Sequence, residues 1–163
     1  MQRLFAAVRS SVYGSAFVVL WFWLARWATR FDGVLGLRIP LWLELVGVVV
    51  AIGGAVLAVA CVVAFFTVGR GTPAPFDPPR EFVAVGPYRH VRNPMYLGGF
   101  SVLLGAGLYL SSPGVLCVAL VFLVFFHLFV RFYEEPTLEA RFGESYRLYL
   151  TSVHRWWPAR PQK

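Results

Sequence analysis

Two short clusters hold the residue types in this chain that can do chemistry: Arg92-Asn93-Pro94 and Glu134-Glu135. Asn is a good N-cap and Pro a good first helical residue, so the first cluster starts a helix. The uncapped N–H groups of that helix, with Arg92 beside them, make an anion site. Two adjacent carboxylates beside a bilayer are uncommon, because acidic groups do little for orientation and resist desolvation. They suit a cationic group such as an amine or a sulfonium. Each cluster also has a plain structural reading: a helix start with a snorkelling arginine, and solvated charges favoured by a helix dipole. His127 lies one helical turn before Arg131. An ionisable residue within the membrane is a candidate for function, and a neutral imidazole hydrogen-bonded inside a bundle is the simpler account. His154-Arg155-Trp156-Trp157-Pro158 reads as an interfacial anchor.

The elements that must position these clusters are membrane helices. Hydrophobic residues make up 58% of the 163-residue chain and charged ones 14%, where a soluble domain carries about 25% charged residues. Residues 45–69 carry no charge at all, and a helix of roughly 20 apolar residues spans a bilayer core. The chain therefore reads as a single all-α integral membrane domain over 1–163, with about four transmembrane helices near 11–28, 41–68, 94–111 and 114–132. A cytoplasmic loop and a C-terminal amphipathic helix complete it. Arg3 and Arg9 precede an apolar stretch, as in a secretory signal, but Trp21, Trp23 and Trp27 stud it and no small-residue cleavage pattern follows. A retained first helix is expected.

The formal net charge of +7 is explained by arginines that flank helices and meet anionic lipid, so no nucleic-acid partner is called for. Cys61 and Cys117 lie inside apolar runs, without CxxC or Cys/His spacing, so neither a disulfide framework nor a metal site has support. Nothing in the sequence sets the oligomeric state.

With four spans, the N-tail, the 69–93 loop and the C-tail share one side. That side carries twelve Lys and Arg residues, including Arg70, Arg80, Arg89, Arg92, Arg131, Arg141 and Arg155; the other has Arg26, Arg30 and Arg38. The positive-inside rule puts loop and tail in the cytoplasm, at the cytoplasmic (inner) membrane if the source is bacterial. The loop is too long for a mere connector, and Pro73, Pro75, Pro78, Pro79 and Pro87 exclude regular helix through much of it. Beyond the last span, Pro136 can open a helix in which Leu138, Phe142, Tyr146, Tyr149 and Leu150 recur at helical spacing.

Ser111-Ser112-Pro113-Gly114 is a tight turn that makes the last two spans an antiparallel hairpin. Gly98, Gly99, Gly105 and Gly107 allow close helix contact in the first of them. The hairpin brings Asn93 and Glu134 to the same membrane level. An anion site facing a cation site suits a zwitterionic ligand.

The run Gly86-Pro87-Tyr88-Arg89-His90-Val91-Arg92-Asn93-Pro94-Met95-Tyr96-Leu97-Gly98, followed by Glu134-Glu135 and Phe142-Gly143-Glu144-Ser145-Tyr146, resembles the isoprenylcysteine carboxyl methyltransferase family and related membrane phospholipid methyltransferases. The resemblance covers residues 80–158; the first two spans match only as generic membrane helices. It implies S-adenosylmethionine as cofactor, in a cytoplasm-facing pocket, which agrees with the absence of a GxGxxG motif. By resemblance, Tyr88, His90, Arg92, Asn93, Pro94, Met95 and Tyr96 contact the cofactor, and Gly98 allows its close approach. Val83 belongs to the stretch 80–83 that aligns with the adenosine lining. Glu134 holds the amino end and Glu135 assists. The family usually has His where this chain has Asn93, which puts any role needing an imidazole there in doubt; His90 is the nearest substitute.

Methyl transfer from a sulfonium is an in-line displacement. A carboxylate acceptor needs only alignment and removal of water, whereas an amine acceptor needs a base. Arg131 is the candidate to hold an anionic group of a lipid-like substrate entering from the bilayer. Two alternatives stand beside this reading: an NADPH-dependent membrane lipid reductase with a similar C-terminal motif, and a non-catalytic membrane protein that kept the fold.

Overall fold

A computed structural model describes residues 2–35, 39–65, 67 and 84–158, with the side chains of 2–11, 13 and 35 left aside. All regular elements among these residues are helical. Helix α1 spans Gln2–Ala28 and leads through a 3-10 turn, Thr29–Phe31, into the short α2, Asp32–Leu35. Pro40, extended, starts α3 at Leu41, and the uncharged run that follows keeps it helical to Ala64. After the 3-10 turn Gly86–Arg89 come α4, Pro94–Tyr109, and α5, Pro113–Phe129. A π-helical turn, Val130–Glu134, joins α5 to α6, Glu135–Phe142, and α7, Glu144–Ser152, closes the order.

Among the described residues, two helices are long and apolar enough to cross a membrane: α3, and the continuous stretch Pro113–Phe142 that α5 begins. α4 is apolar but has only 16 residues, about 24 Å of helix against a hydrocarbon core of about 30 Å. Side chains at the outer faces are large and apolar, among them Val49, Ile52, Val56 and Val59 on α3 and Leu120, Val121, Val124 and Phe125 on α5. Faces of this kind are stable against lipid rather than water.

The helices pack in the spatial order α1, α5, α4, α3. α3 and α4 meet through glycines: a Cβ on Gly54 would lie 2.7 Å from the Gly98 carbonyl, and one on Gly47 would lie 2.6 Å from the Gly105 carbonyl. Backbones approach this closely only where side chains are absent. α4 and α5 instead pack through Leu103, Ala119, Phe122 and Phe126. α1 docks on the same cluster with Trp21, whose ring meets Phe122 edge-on at 4.6 Å.

The turn between α4 and α5 is fastened from two other elements. Ser112 caps α5 by accepting from the Val115 N–H at 3.2 Å. Asp32 accepts from the Ser112 hydroxyl at 2.8 Å and the Gly114 N–H at 2.9 Å, and Glu44 accepts from the Ser111 hydroxyl at 2.8 Å. This end of the hairpin is thus held by two carboxylates, leaving the opposite end, where α4 starts and α5 stops, to carry the site.

Past that opposite end, the single helix expected after Pro136 is two helices. Gly143, at φ +55°, breaks it between α6 and α7, a backbone state that glycine reaches without strain. The five residues at helical spacing share one cluster: Tyr146 and Tyr149 form its centre with Val153, and Leu138, Phe142, Leu150 and Ala84 pack around them.

Candidate functional site

The segment leading into α4 is pinned by the C-terminal segment. Tyr149 donates its hydroxyl to the Tyr88 carbonyl at 2.6 Å. The Arg92 N–H donates to the His154 carbonyl at 3.0 Å, and the Asn93 side-chain amide donates to the Arg155 carbonyl at 3.3 Å. Asn93 occupies the N-cap position but makes no side-chain cap bond. The local expectation of a capping side chain gives way to a tertiary demand: Asn93 is buried, and the carbonyl pressed against it requires a donor. Tyr88 points inward, against Cys61, Ala64 and Met95, with Phe65 edge-on at 5.4 Å. Burial pushes the phenols of Tyr88, Tyr146 and Tyr149 above their ordinary 10.0, so all three stay neutral donors at physiological pH.

Across the hairpin, the two glutamates take different partners. Tyr96 donates its hydroxyl to Glu134 Oε2 at 2.8 Å while its ring stacks on Phe126, centroids 4.3 Å apart. Glu135 accepts a two-pronged pair from Arg155, Nε at 2.9 Å and Nη2 at 2.6 Å, and a third contact from Arg92 Nη1 at 3.0 Å. Arg92 Nε is buried with no hydrogen-bond partner. Glu135 is thus saturated by guanidinium groups, whereas the donor to Glu134 is a neutral phenol. The π turn that ends at Glu134 is the irregularity that sets these adjacent carboxylates to different tasks.

The remaining candidates divide. Met95 packs beside Tyr88. His90 and Pro94 line a separate cleft of about 490 Å³ with Leu57, Gly86, Pro87, Arg89, Val91 and Leu97. Gly98 faces α3, where a Cβ would meet the Gly54 carbonyl at 2.8 Å and the Ala58 N–H nitrogen at 3.0 Å, so its close approach serves helix packing. Arg131, the candidate for an anionic substrate group, is exposed and lies over the Phe132 ring at 5.5 Å. Val83 lies outside the described residues. His127 accepts a hydrogen bond from Trp156 Nε1 at 3.0 Å, the arrangement of a neutral imidazole bonded within the bundle. Arg155, read from sequence as part of an interfacial anchor, is the functional residue missed. No periodicity links it to Glu135, and only the fold-back at Gly143 brings the two together.

A family model described as phospholipid methyltransferase matches residues 42–145. The chain belongs to that family. The family is one of membrane methyltransferases, is related to the isoprenylcysteine carboxyl methyltransferases, and its members generally use S-adenosylmethionine. The match takes in α3, which showed no specific motif, and stops short of Arg155. No curated protein and no solved structure matches the chain.

Proposed function

We propose that this protein transfers the methyl group of S-adenosylmethionine to a lipid-like acceptor at the membrane face where α4 begins and α5 ends. The observation that carries this reading is Glu134, a partly buried carboxylate whose hydrogen-bond partner is the uncharged Tyr96 phenol, one residue from a carboxylate already saturated by two arginines. The residues present fit the cofactor. Glu134 suits its amino end and the unpartnered Arg92 Nε suits a carboxylate. When bound, S-adenosylmethionine supplies an electrophilic methyl group on a sulfonium.

Tyr96 orients Glu134 and keeps its lone pairs directed. Glu135 acts as a positioning residue: it holds Arg92 against the start of α4 and ties it, through Arg155, to the C-terminal segment. The apolar flanks from Phe126 and Tyr88 exclude water from this level of the hairpin.

A carboxylate acceptor, such as that of an isoprenylcysteine, is favoured because it needs no base. Of the three histidines, His90 lines the separate cleft, His127 is engaged by Trp156, and His154 is exposed. Position 93, where the family usually has an imidazole, is an amide spent on the Arg155 carbonyl. The excess of Lys and Arg in the 69–93 loop and the C-tail supports a cytoplasmic site.

The test is calorimetric titration of the purified protein in detergent with S-adenosylmethionine and, separately, NADPH. Saturable heat with the sulfonium ligand alone is expected. Glu134→Gln should weaken it by about tenfold or more, while Glu139→Gln, at an exposed pair with Arg147, should leave it unchanged. Absence of heat with S-adenosylmethionine sinks the reading. Radiolabelled methyl donor offered with prenylcysteines, fatty acids, phosphatidylethanolamine and quinol precursors then identifies the acceptor.

A further inference from the structure

The 490 Å³ cleft lies on the α3 side of the first turn of α4, and neither glutamate is among its walls. Its apolar walls come from two apolar helices, Leu57 on α3 and Leu97 on α4, with Val91 and Pro94 between. At its rim stand Arg89 and His90, both exposed. Among the described residues, no carboxylate lines the cleft and none pairs with Arg89. The volume is that of a small-molecule site. An apolar slot between helices that opens beneath a cation at the helix ends has the polarity of a lipid: chain below, anionic headgroup above.

We infer that this cleft binds one anionic membrane lipid, its headgroup at Arg89 and His90 and an acyl chain along Leu57 and Leu97. Charge complementarity selects the occupant. A guanidinium with no carboxylate partner among the described residues favours a lipid with net negative charge over a zwitterionic lipid of the same chain length. The inference is independent of the methyl-transfer reading, because it concerns binding on the face of α4 turned away from Tyr96 and Glu134.

The experiment is native mass spectrometry of the whole chain in neutral detergent, titrated with phosphatidylglycerol and with phosphatidylcholine. One phosphatidylglycerol per chain should be retained, roughly tenfold more tightly than phosphatidylcholine. Arg89→Gln should weaken retention by roughly fivefold, the effect of one headgroup-level charge. Leu97→Trp, which fills the slot and leaves the cation in place, should also abolish the preference. Arg141→Gln, at an exposed arginine on α6, should change nothing. Equal retention of the two lipids overturns the inference, as does an Arg89→Gln protein that retains phosphatidylglycerol like the parent. So does Arg141→Gln matching the Arg89→Gln loss, because that is diffuse attraction. If Leu97→Trp does not fold, Arg89→Gln decides alone. Titrating the Arg89→Gln protein with S-adenosylmethionine separates the two readings: cofactor affinity should match the parent whatever the lipid result.

Discussion

The hydroxyl of Tyr96 donates to Glu134 Oε2 at 2.8 Å, joining the first turn of α4 to the last residue of the π turn that ends α5. One bond therefore holds the two ends of the hairpin and orients the carboxylate assigned to the ligand. Its two partners differ in what their removal leaves behind. Tyr96→Phe leaves a partly buried carboxylate without its donor and should cost about 1–2 kcal/mol of stability. Glu134→Gln keeps an acceptor oxygen for the phenol and removes a carboxyl group that is costly to bury in its charged form, so its cost should stay below about 1 kcal/mol. Thermal unfolding in detergent, followed by tryptophan fluorescence, orders the two. The double variant should cost less than the sum of the singles, because they share one bond. The reverse order, or strict additivity, would show that the bond carries neither role.

Glu135 is in the opposite situation. It is 13% exposed at the side chain and answers two guanidinium groups at once, Arg92 at 13% and Arg155 at 27%. Its hydrogen bond holds the Arg155 guanidinium above the ordinary arginine value. Glu135→Gln strands both arginines and should destabilise by about 2–4 kcal/mol, the loss of a largely buried pair tempered by the exposure of Arg155. Glu139→Gln removes a pair with Arg147 that is 40% and 62% exposed and should cost about 0–1 kcal/mol. Equal melting temperatures for the two variants would mean that the Arg92–Glu135–Arg155 cluster is not what pins the C-terminal segment.

The hairpin was legible because its signals are local: apolar runs on either side of Ser111-Ser112-Pro113-Gly114, with Pro at the start of each helix. That turn alone sufficed to set Asn93 and Glu134 at one level, and the Tyr96–Glu134 bond follows from it. What was not legible depends on contacts between distant segments. Asn93 has a capping sequence, yet its amide is taken by a carbonyl 62 positions away. Arg155 reaches Glu135 only because Gly143 turns α7 back onto Ala84 and Tyr88. A π turn has no sequence period of its own, so the separation of duties between Glu134 and Glu135 could not be read from two adjacent letters. Asp32 and Glu44, which look like ordinary charges near helix ends, turn out to fasten the far turn.

The glycines of α3 make a contrast within one helix. Gly54 faces α4, where an added Cβ would meet the Gly98 carbonyl at 2.7 Å and Val102 N at 2.9 Å; Gly53, its neighbour, has nothing within 4 Å. Gly54→Ala forces two backbones apart and should destabilise by about 1–3 kcal/mol, the range for overpacking a tight contact. Gly53→Ala meets no obstacle and should stabilise by about 0.4–1 kcal/mol, because it restricts the unfolded chain and favours helix. Melting temperatures of the pair check this. If Gly53→Ala proves the more harmful, the face assigned to α4 is wrong.

Tyr149 makes the pH prediction. Burial holds its phenol above the ordinary 10.0, and Tyr146 beside it is shifted the same way. A raised folded-state value means that the folded protein keeps a proton the unfolded chain gives up. The contribution is complete below pH 10.0 and is lost as pH rises from there through the folded value. Stability should therefore be flat in this respect through neutral pH and fall above 10.0, by up to about 1.4 kcal/mol per pH unit for each such phenol. Tyr149→Phe removes the hydroxyl that donates to the Tyr88 carbonyl at 2.6 Å and should cost about 1–2 kcal/mol at pH 8. It also removes one of the resisting phenols, so its stability should decline less steeply above pH 10.0. The gap between variant and parent should narrow with rising pH. Chemical denaturation at several pH values from 8 to about 11 measures that gap. Parallel curves would mean that the Tyr149 phenol titrates as freely as in the unfolded chain, which its place in the cluster with Tyr146 and Val153 forbids.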